Sequence, residues 1–157
     1  LPEAQRDRFM ARISMGYPPA HAEVEMLRSH GARDPLGELR PVTDAATIED
    51  LVETTRRVHV APSVYQYVVD LVTATRESSA LRLGASPRAS LHLLRASRAA
   101  AAMAGRDHVL PDDVQSLAVP VLAHRLQPTG ETQLARRSTA DVVADLLQRV
   151  RVPAPGR

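Results

Sequence analysis

An arginine in the opening turn of a helix is the first place where side-chain type and spacing together point to chemistry. In Gly84-Ala85-Ser86-Pro87-Arg88-Ala89, Ser86 has the residue type of an N-cap. Pro87 has the fixed φ of a first helical position, so Arg88 falls in the first turn. A cation there opposes the positive end of the helix dipole, at a cost of about 0.3–1 kcal/mol. A bound anion reverses that sign, because free backbone N–H groups and a planar guanidinium then converge on one negative group. His92 and Arg95 continue the same helical stripe. Spacing alone leaves two readings open: an anion site, or a solvated arginine on a surface helix.

Composition narrows the chemistry further. The 157 residues include 20 basic and 18 acidic side chains, for a formal charge of +2, and no cysteine. Disulfides, thiolate zinc sites and a cysteine nucleophile are therefore excluded. Every basic residue is arginine. A phosphate-binding P-loop and a Schiff-base enzyme both need a lysine, so neither chemistry can reside in this chain by itself. The six histidines (21, 30, 59, 92, 108 and 124) stand singly, without the spacings of structural zinc sites, and no metal is expected. Nor is there a G-x-S-x-G nucleophile elbow. Glu23, Glu25, Asp112 and Asp113 read as first-turn acids that complement helix N-termini.

The elements that must carry these groups are helices. A pattern of period 3.6 runs through 19–30 (Ala20, Val24, Leu27, with Gly31 as a stop). A loop is expected over 31–42. Thr43 or Asp44 should cap the next helix, with Ile48, Leu51, Val52 and Thr55 on one face. Pro62-Ser63 opens a third, with Val64, Val68, Leu71, Val72 and Thr75 aligned. The alanine-rich helix after Pro87 runs to about Gly105, with Ala89, Leu93, Ala96, Ala100 and Met103 on one side. Pro111 opens another (Val114, Leu117, Ala118, Val121, Leu122), in which Pro120 predicts a kink or a split. Residues 127–137 read as a polar connection, with Arg136-Arg137 a solvated pair. Ser138 or Thr139 caps the last helix, which carries Val142, Val143, Leu146, Leu147 and Val150. The fold class is thus an all-α bundle. Val58–Val60 and His108–Leu110 are extended candidates for a small two-stranded ribbon. Residues 9–15 alternate like a strand, and either belong to a sheet outside this chain or form a frayed tail.

Several stretches together resemble the C-terminal part of a MoxR-type ATPase of the AAA+ class. Leu1-Pro2-Glu3-Ala4-Gln5-Arg6-Asp7-Arg8-Phe9 resembles the box that precedes the last core strand, and Gly16-Tyr17-Pro18 the exit from that strand. Gly84–Ala89 resembles the sensor-2 motif. Gly105–Val114, His124-Arg125 and Val150-Arg151-Val152-Pro153 resemble the succeeding lid segments. Magnesium-chelatase and MCM-like ATPases share parts of this pattern. Arg6 departs from it, standing where an apolar residue is usual.

The resemblance implies three parts: residues 1–17 as the end of the AAA+ core, 18–150 as a helical lid, and 151–157 as a tail. It implies Arg88 as the sensor-2 arginine on the nucleotide γ-phosphate, with Ser86 and Pro87 framing the site and His92 and Arg95 in support. Arg8 would be the arginine finger that reaches a neighbouring subunit's nucleotide. The core with its Walker A and B residues, and with the ATP and Mg2+ they hold, would precede Leu1, so this chain alone should be inactive. The expected partners are that core, a homo-oligomeric ring such as a hexamer, and a von Willebrand factor A domain protein. The role would be chaperone-like maturation of protein complexes.

Membrane and nucleic acid are not expected partners. No apolar run reaches the roughly 20 residues of a membrane span, no signal pattern opens the chain, and the expected location is cytoplasmic. The opening at Leu1 rather than methionine suggests a piece of a longer chain. A second reading, a helical nucleic-acid-binding module, draws on the pI of 9.6 and the Arg88/His92/Arg95 stripe. The four aromatic residues (three Tyr, one Phe) are few for base stacking.

Overall fold

The computed structural model describes residues 2–29 and 36–154, with the side chains of Glu3 and Ala4 left undescribed. Leu1, His30, the expected stop at Gly31, the start of the expected loop at 31–35 and the end of the tail lie outside the described residues. The chain divides into two units, residues 1–12 with 52–157, and residues 13–51.

The larger unit is built on helices whose apolar spacing dictates their buried faces. Helix α1 (Glu3–Arg6) opens the chain, and the larger unit resumes near the end of α3 (Ala45–Arg57). Helix α4 (Pro62–Glu77) starts at Pro62, where the absent N–H costs no hydrogen bond. Its Val64, Val68, Leu71, Val72 and Thr75 are buried as the period requires, joined by Tyr67. After β1 (Leu81–Leu83) comes α5 (Pro87–Met103), which packs against α4 and α6 (Pro111–Leu122). The helix α8 (Thr139–Arg149) closes the bundle against α4 and α6. Ser138 caps it, its hydroxyl accepting from the Asp141 N–H while the Asp141 carboxylate accepts from the Ser138 N–H.

Three details depart from the expectations. On α5 the buried line is Ala89, Leu93, Ser97 and Ala101, whereas Met103 is 90% exposed. The inward face lies one position away from the Ala96–Ala100–Met103 line, because Ser97 turns its hydroxyl onto the Leu93 carbonyl at 2.9 Å and can be buried. Secondly, Pro120 does not split α6, since only two helical residues follow it before a 3-10 turn at Ala123–Arg125 takes over. The Pro120 carbonyl instead accepts the Arg12 N–H at 2.9 Å.

Thirdly, the two-stranded sheet pairs β1 antiparallel with β2 (Gln127–Pro128), not the segments expected. His59 and His108 do meet, but only as an isolated parallel bridge, with the His59 N–H on the Asp107 carbonyl at 2.7 Å. The span 127–137 also holds a short helix, α7 (Gly130–Leu134), capped by the Thr129 hydroxyl. Arg137 pairs with Asp145. Residues 9–15 form no strand, because the described chain offers their alternation no neighbouring strand to pair with.

The smaller unit contains α2 (Ala20–Ser29) and most of α3. The Asp44 carboxylate accepts the Thr47 N–H at 2.8 Å and opens α3, which holds that carboxyl below its usual range. None of the residues expected on the inner faces of α2 and α3 is buried; Leu27 is 72% exposed.

Candidate nucleotide-sensing site

The turn that leads into α5 is clamped from below by the last turn of α4. Buried Thr75 accepts the Ala85 N–H on its hydroxyl at 2.9 Å and donates to the Val72 carbonyl at 2.6 Å. The Arg76 Nε donates to the Ala85 carbonyl at 2.7 Å. This close approach requires glycine at 84, where a Cβ would lie 2.6 Å from the Arg76 Cα and 2.7 Å from the Thr75 carbonyl oxygen. Gly84→Ala should therefore destabilise the chain by about 1–3 kcal/mol. A lowered denaturant midpoint with an unchanged slope would show it.

The turn places Ser86 at the N-cap, Pro87 at the first helical position and Arg88 in the first turn of α5. The Ser86 side chain does not cap the helix, as its type led one to expect. Its hydroxyl donates instead to both carboxylate oxygens of Asp7, at 2.9 and 3.0 Å. The first-turn N–H groups of α5 thus receive no side-chain cap from Ser86. Arg88 is exposed and makes no hydrogen bond or ion pair among the described residues. Arg95 is likewise exposed.

Asp7 leads to a residue whose role sequence reasoning missed. The Arg125 side chain is 1% exposed and donates through Nε to Asp7 at 3.2 Å. Its Nη2 donates to the carbonyls of Asp7, at 3.3 Å, and Phe9, and to the His92 Nδ1. Nη1 serves the carbonyls of Met10, at 3.3 Å, and Val121. One buried guanidinium thereby holds residues 7–10 onto the helical bundle. The available signal was an arginine inside the apolar run Val119–Leu126, at helical spacing from Val121 and Leu122.

His92 must be neutral to accept from Arg125 through Nδ1. Burial lowers its pKa from the usual value, and the guanidinium charges of Arg125, Arg95 and Arg88 lower it further against the pull of Asp7. Burial also lowers His124, whose ring nitrogens face the Phe9 and Pro120 carbonyls at 3.2 and 3.1 Å. With the folded-state pKa below the unfolded one, the unfolded chain binds more protons as pH falls through about 6.5. Both histidines thus contribute stability that is present above that pH and is lost below it. The melting midpoint should drop between pH 7.5 and 5.5, and His92→Gln, which still offers an acceptor, should lessen the drop.

Between Asp7, Arg76, Arg82, Gly84, Ser86 and Arg125 lies an open cleft of about 590 Å³. Arg88, two residues on from Ser86, is not among the residues that line this cleft. Arg8 is exposed, with no side-chain bond among the described residues. The site therefore gathers Asp7 and His92 around the buried Arg125 guanidinium, with Ser86 on the Asp7 carboxylate, and displays Arg8 and Arg88 at its surface. Among the described residues no group of His, Asp and Glu side chains is placed to hold a metal ion. No helix of the described residues is long and apolar enough to cross a membrane.

Residues 73–146 match the family model of the AAA lid domain. Over 98% of the chain, it is 36% identical to the chaperone MoxR1 of Mycobacterium tuberculosis, covering 42% of that protein. It is 35% identical to the uncharacterized protein YeaC of Bacillus subtilis, covering 48% of it. With protein MoxR of Paracoccus denitrificans, it shares 32% identity over 80% of the chain and 43% of the relative. A crystal structure from Cytophaga hutchinsonii, described as that of a candidate ATPase, superposes with a TM-score of 0.85 at 30% identity. That match covers 98% of this chain and 49% of the other. The chain thus spans about half the length of the curated relatives it matches. On the fold and on these relatives, the chain carries an AAA lid domain and is similar, over about half of their length, to MoxR proteins.

Proposed function

We propose that the chain senses ATP through Arg88 and couples nucleotide state to movement in a ring of subunits. In this reading residues 1–17 end a preceding AAA+ core, 18–150 form the lid and 151–157 a tail. The observation that carries it is the state of Arg88: exposed, without a partner among the described residues, and held in the first turn of α5 by a turn fixed on both sides. A first-turn arginine with no carboxylate partner suits an anion supplied from outside. Arg8, equally exposed, suits an arginine finger on a neighbouring subunit's nucleotide. Ser86 and Pro87 frame the turn. His92 supports it through Arg125, while Arg95 contributes positive charge.

The donor set fits a phosphate rather than a metal, since this face offers guanidinium and backbone N–H groups. Mg2+ belongs with the carboxylates of the core. ATP, when bound there, supplies a γ-phosphate whose negative charge these arginines offset. The chaperone name of the mycobacterial relative supports a chaperone role, and maturation of other protein complexes is the form the family resemblance implies for it. A von Willebrand factor A domain partner, a hexameric ring and a cytoplasmic location belong to the same reading.

ATP hydrolysis tests it. The intact protein, including the segment that precedes Leu1, should release phosphate from ATP, whereas the 157-residue chain alone should not, having no lysine for a P-loop. Absence of turnover in the intact protein would count against the reading. Retention on DNA above about 0.15 M salt would favour a nucleic-acid module instead.

A further inference from the structure

The two exposed arginines are bracketed by the same buried network. Arg8 stands between Asp7 and Phe9, and the carbonyls of both accept from the Arg125 Nη2. His124 Nε2 adds a second contact to the Phe9 carbonyl, and the Arg8 N–H closes a turn onto Gln5 at 3.1 Å. The Arg8 side chain itself is exposed. Arg88 stands between Ser86, held by the Asp7 carboxylate, and His92, held by Arg125. Asp7 and Arg125 are themselves paired at 3.2 Å. Strand β1 enters this turn beside β2, which leaves directly after the turn containing Arg125, so the backbone joins the same two places.

We propose that Asp7 and Arg125 are positioning residues that lock the segment carrying Arg8 to the first turn carrying Arg88. The two guanidiniums then move as one body when the lid moves. The inference rests on the nucleotide reading above and deepens it. A lid displaced by nucleotide at Arg88 carries Arg8 with it, toward or away from the adjoining subunit, through one ion pair and its hydrogen bonds. A guanidinium displaced by about 1 Å can cost on the order of 100-fold in rate, so loosening this lock should be visible in turnover.

The test uses steady-state ATP turnover of the intact protein. Asp7→Ala should lower kcat at least about 10-fold, with KM for ATP unchanged within about 2-fold. Asp7→Asn still accepts from Ser86 and Arg125 and should restore most of the rate. In an Arg8→Ala background, Asp7→Ala should have little further effect on kcat, because a finger already absent cannot be misplaced. A melting curve of each variant confirms that it is folded. Multiplying losses in the double variant, or a raised KM with kcat intact, would overturn the lock while leaving the nucleotide reading standing. If Arg8→Ala alone leaves turnover unchanged, the finger reading falls and the lock falls with it.

Discussion

Arg88→Ala should lower the kcat of ATP turnover in the intact protein by about 100- to 1000-fold, the loss that follows removal of one preorganised donor from a developing anion. The same substitution should leave the unfolding free energy of the chain within about 0.5 kcal/mol of the unsubstituted value. The side chain is exposed and bonds to nothing among the described residues, so folding gains nothing from it. This separation of activity from stability distinguishes a sensing arginine from a structural one. Arg88→Lys should recover only part of the rate, because a compact ammonium cannot present the planar, forked donors of a guanidinium. A loss of stability equal to the loss of turnover would mean that Arg88 supports the fold rather than reading a ligand.

Arg125→Ala should do the reverse and cost about 3–5 kcal/mol of stability, the range for removing one partner of a buried pair. The substitution strands the Asp7 carboxylate and leaves the carbonyls of Phe9, Met10 and Val121 without their guanidinium donor. Asp7 retains some exposure, at 27%, and the Ser86 hydroxyl, which places the loss in the lower part of that range. For a chain of this size each kcal/mol moves the midpoint by about 2–4 °C, so a drop near 10 °C is expected in a thermal melt. A shift below about 2 °C would show that residues 7–10 are held by something else.

The helices that face inward on several sides were legible because apolar period and burial agree there. On α4, Val64, Val68, Leu71, Val72 and Thr75 all lie inside as spaced. The start of α5 was legible too, since Pro87 fixes the first helical position locally. Its far end was not: alanine is small enough to face either way, so Ala96 and Ala100 did not distinguish the buried line from the exposed one ending at Met103. Strands of three and two residues carry no period, and the β1–β2 pairing sets Leu81 against Pro128 and Leu83 against Gln127, far apart in the sequence, beside the Arg82–Gln127 bond. Pro120 does not interrupt α6, because a proline two residues from a helix end leaves little helix to split.

The candidate site divides the same way. Arg8, Ser86, Pro87, Arg88, His92 and Arg95 could be named from motif and spacing, yet nothing local revealed that Ser86 would serve Asp7, 79 residues away. Arg125 and Asp7 are likewise 118 apart, and only the folded chain shows why an arginine sits among Val121, Leu122 and Leu126. Local rules find the displayed groups, whereas tertiary contacts decide what holds them.

The affinity of the intact protein for ATP relative to ADP, with and without Arg88, is the most direct measurement of the central claim. Equilibrium titration should show that Arg88→Ala weakens ATP binding by at least about 10-fold, a loss near 1.4 kcal/mol, and leaves ADP binding unchanged, since ADP lacks the phosphate that Arg88 meets. Equal weakening of both nucleotides, or of neither, would contradict it.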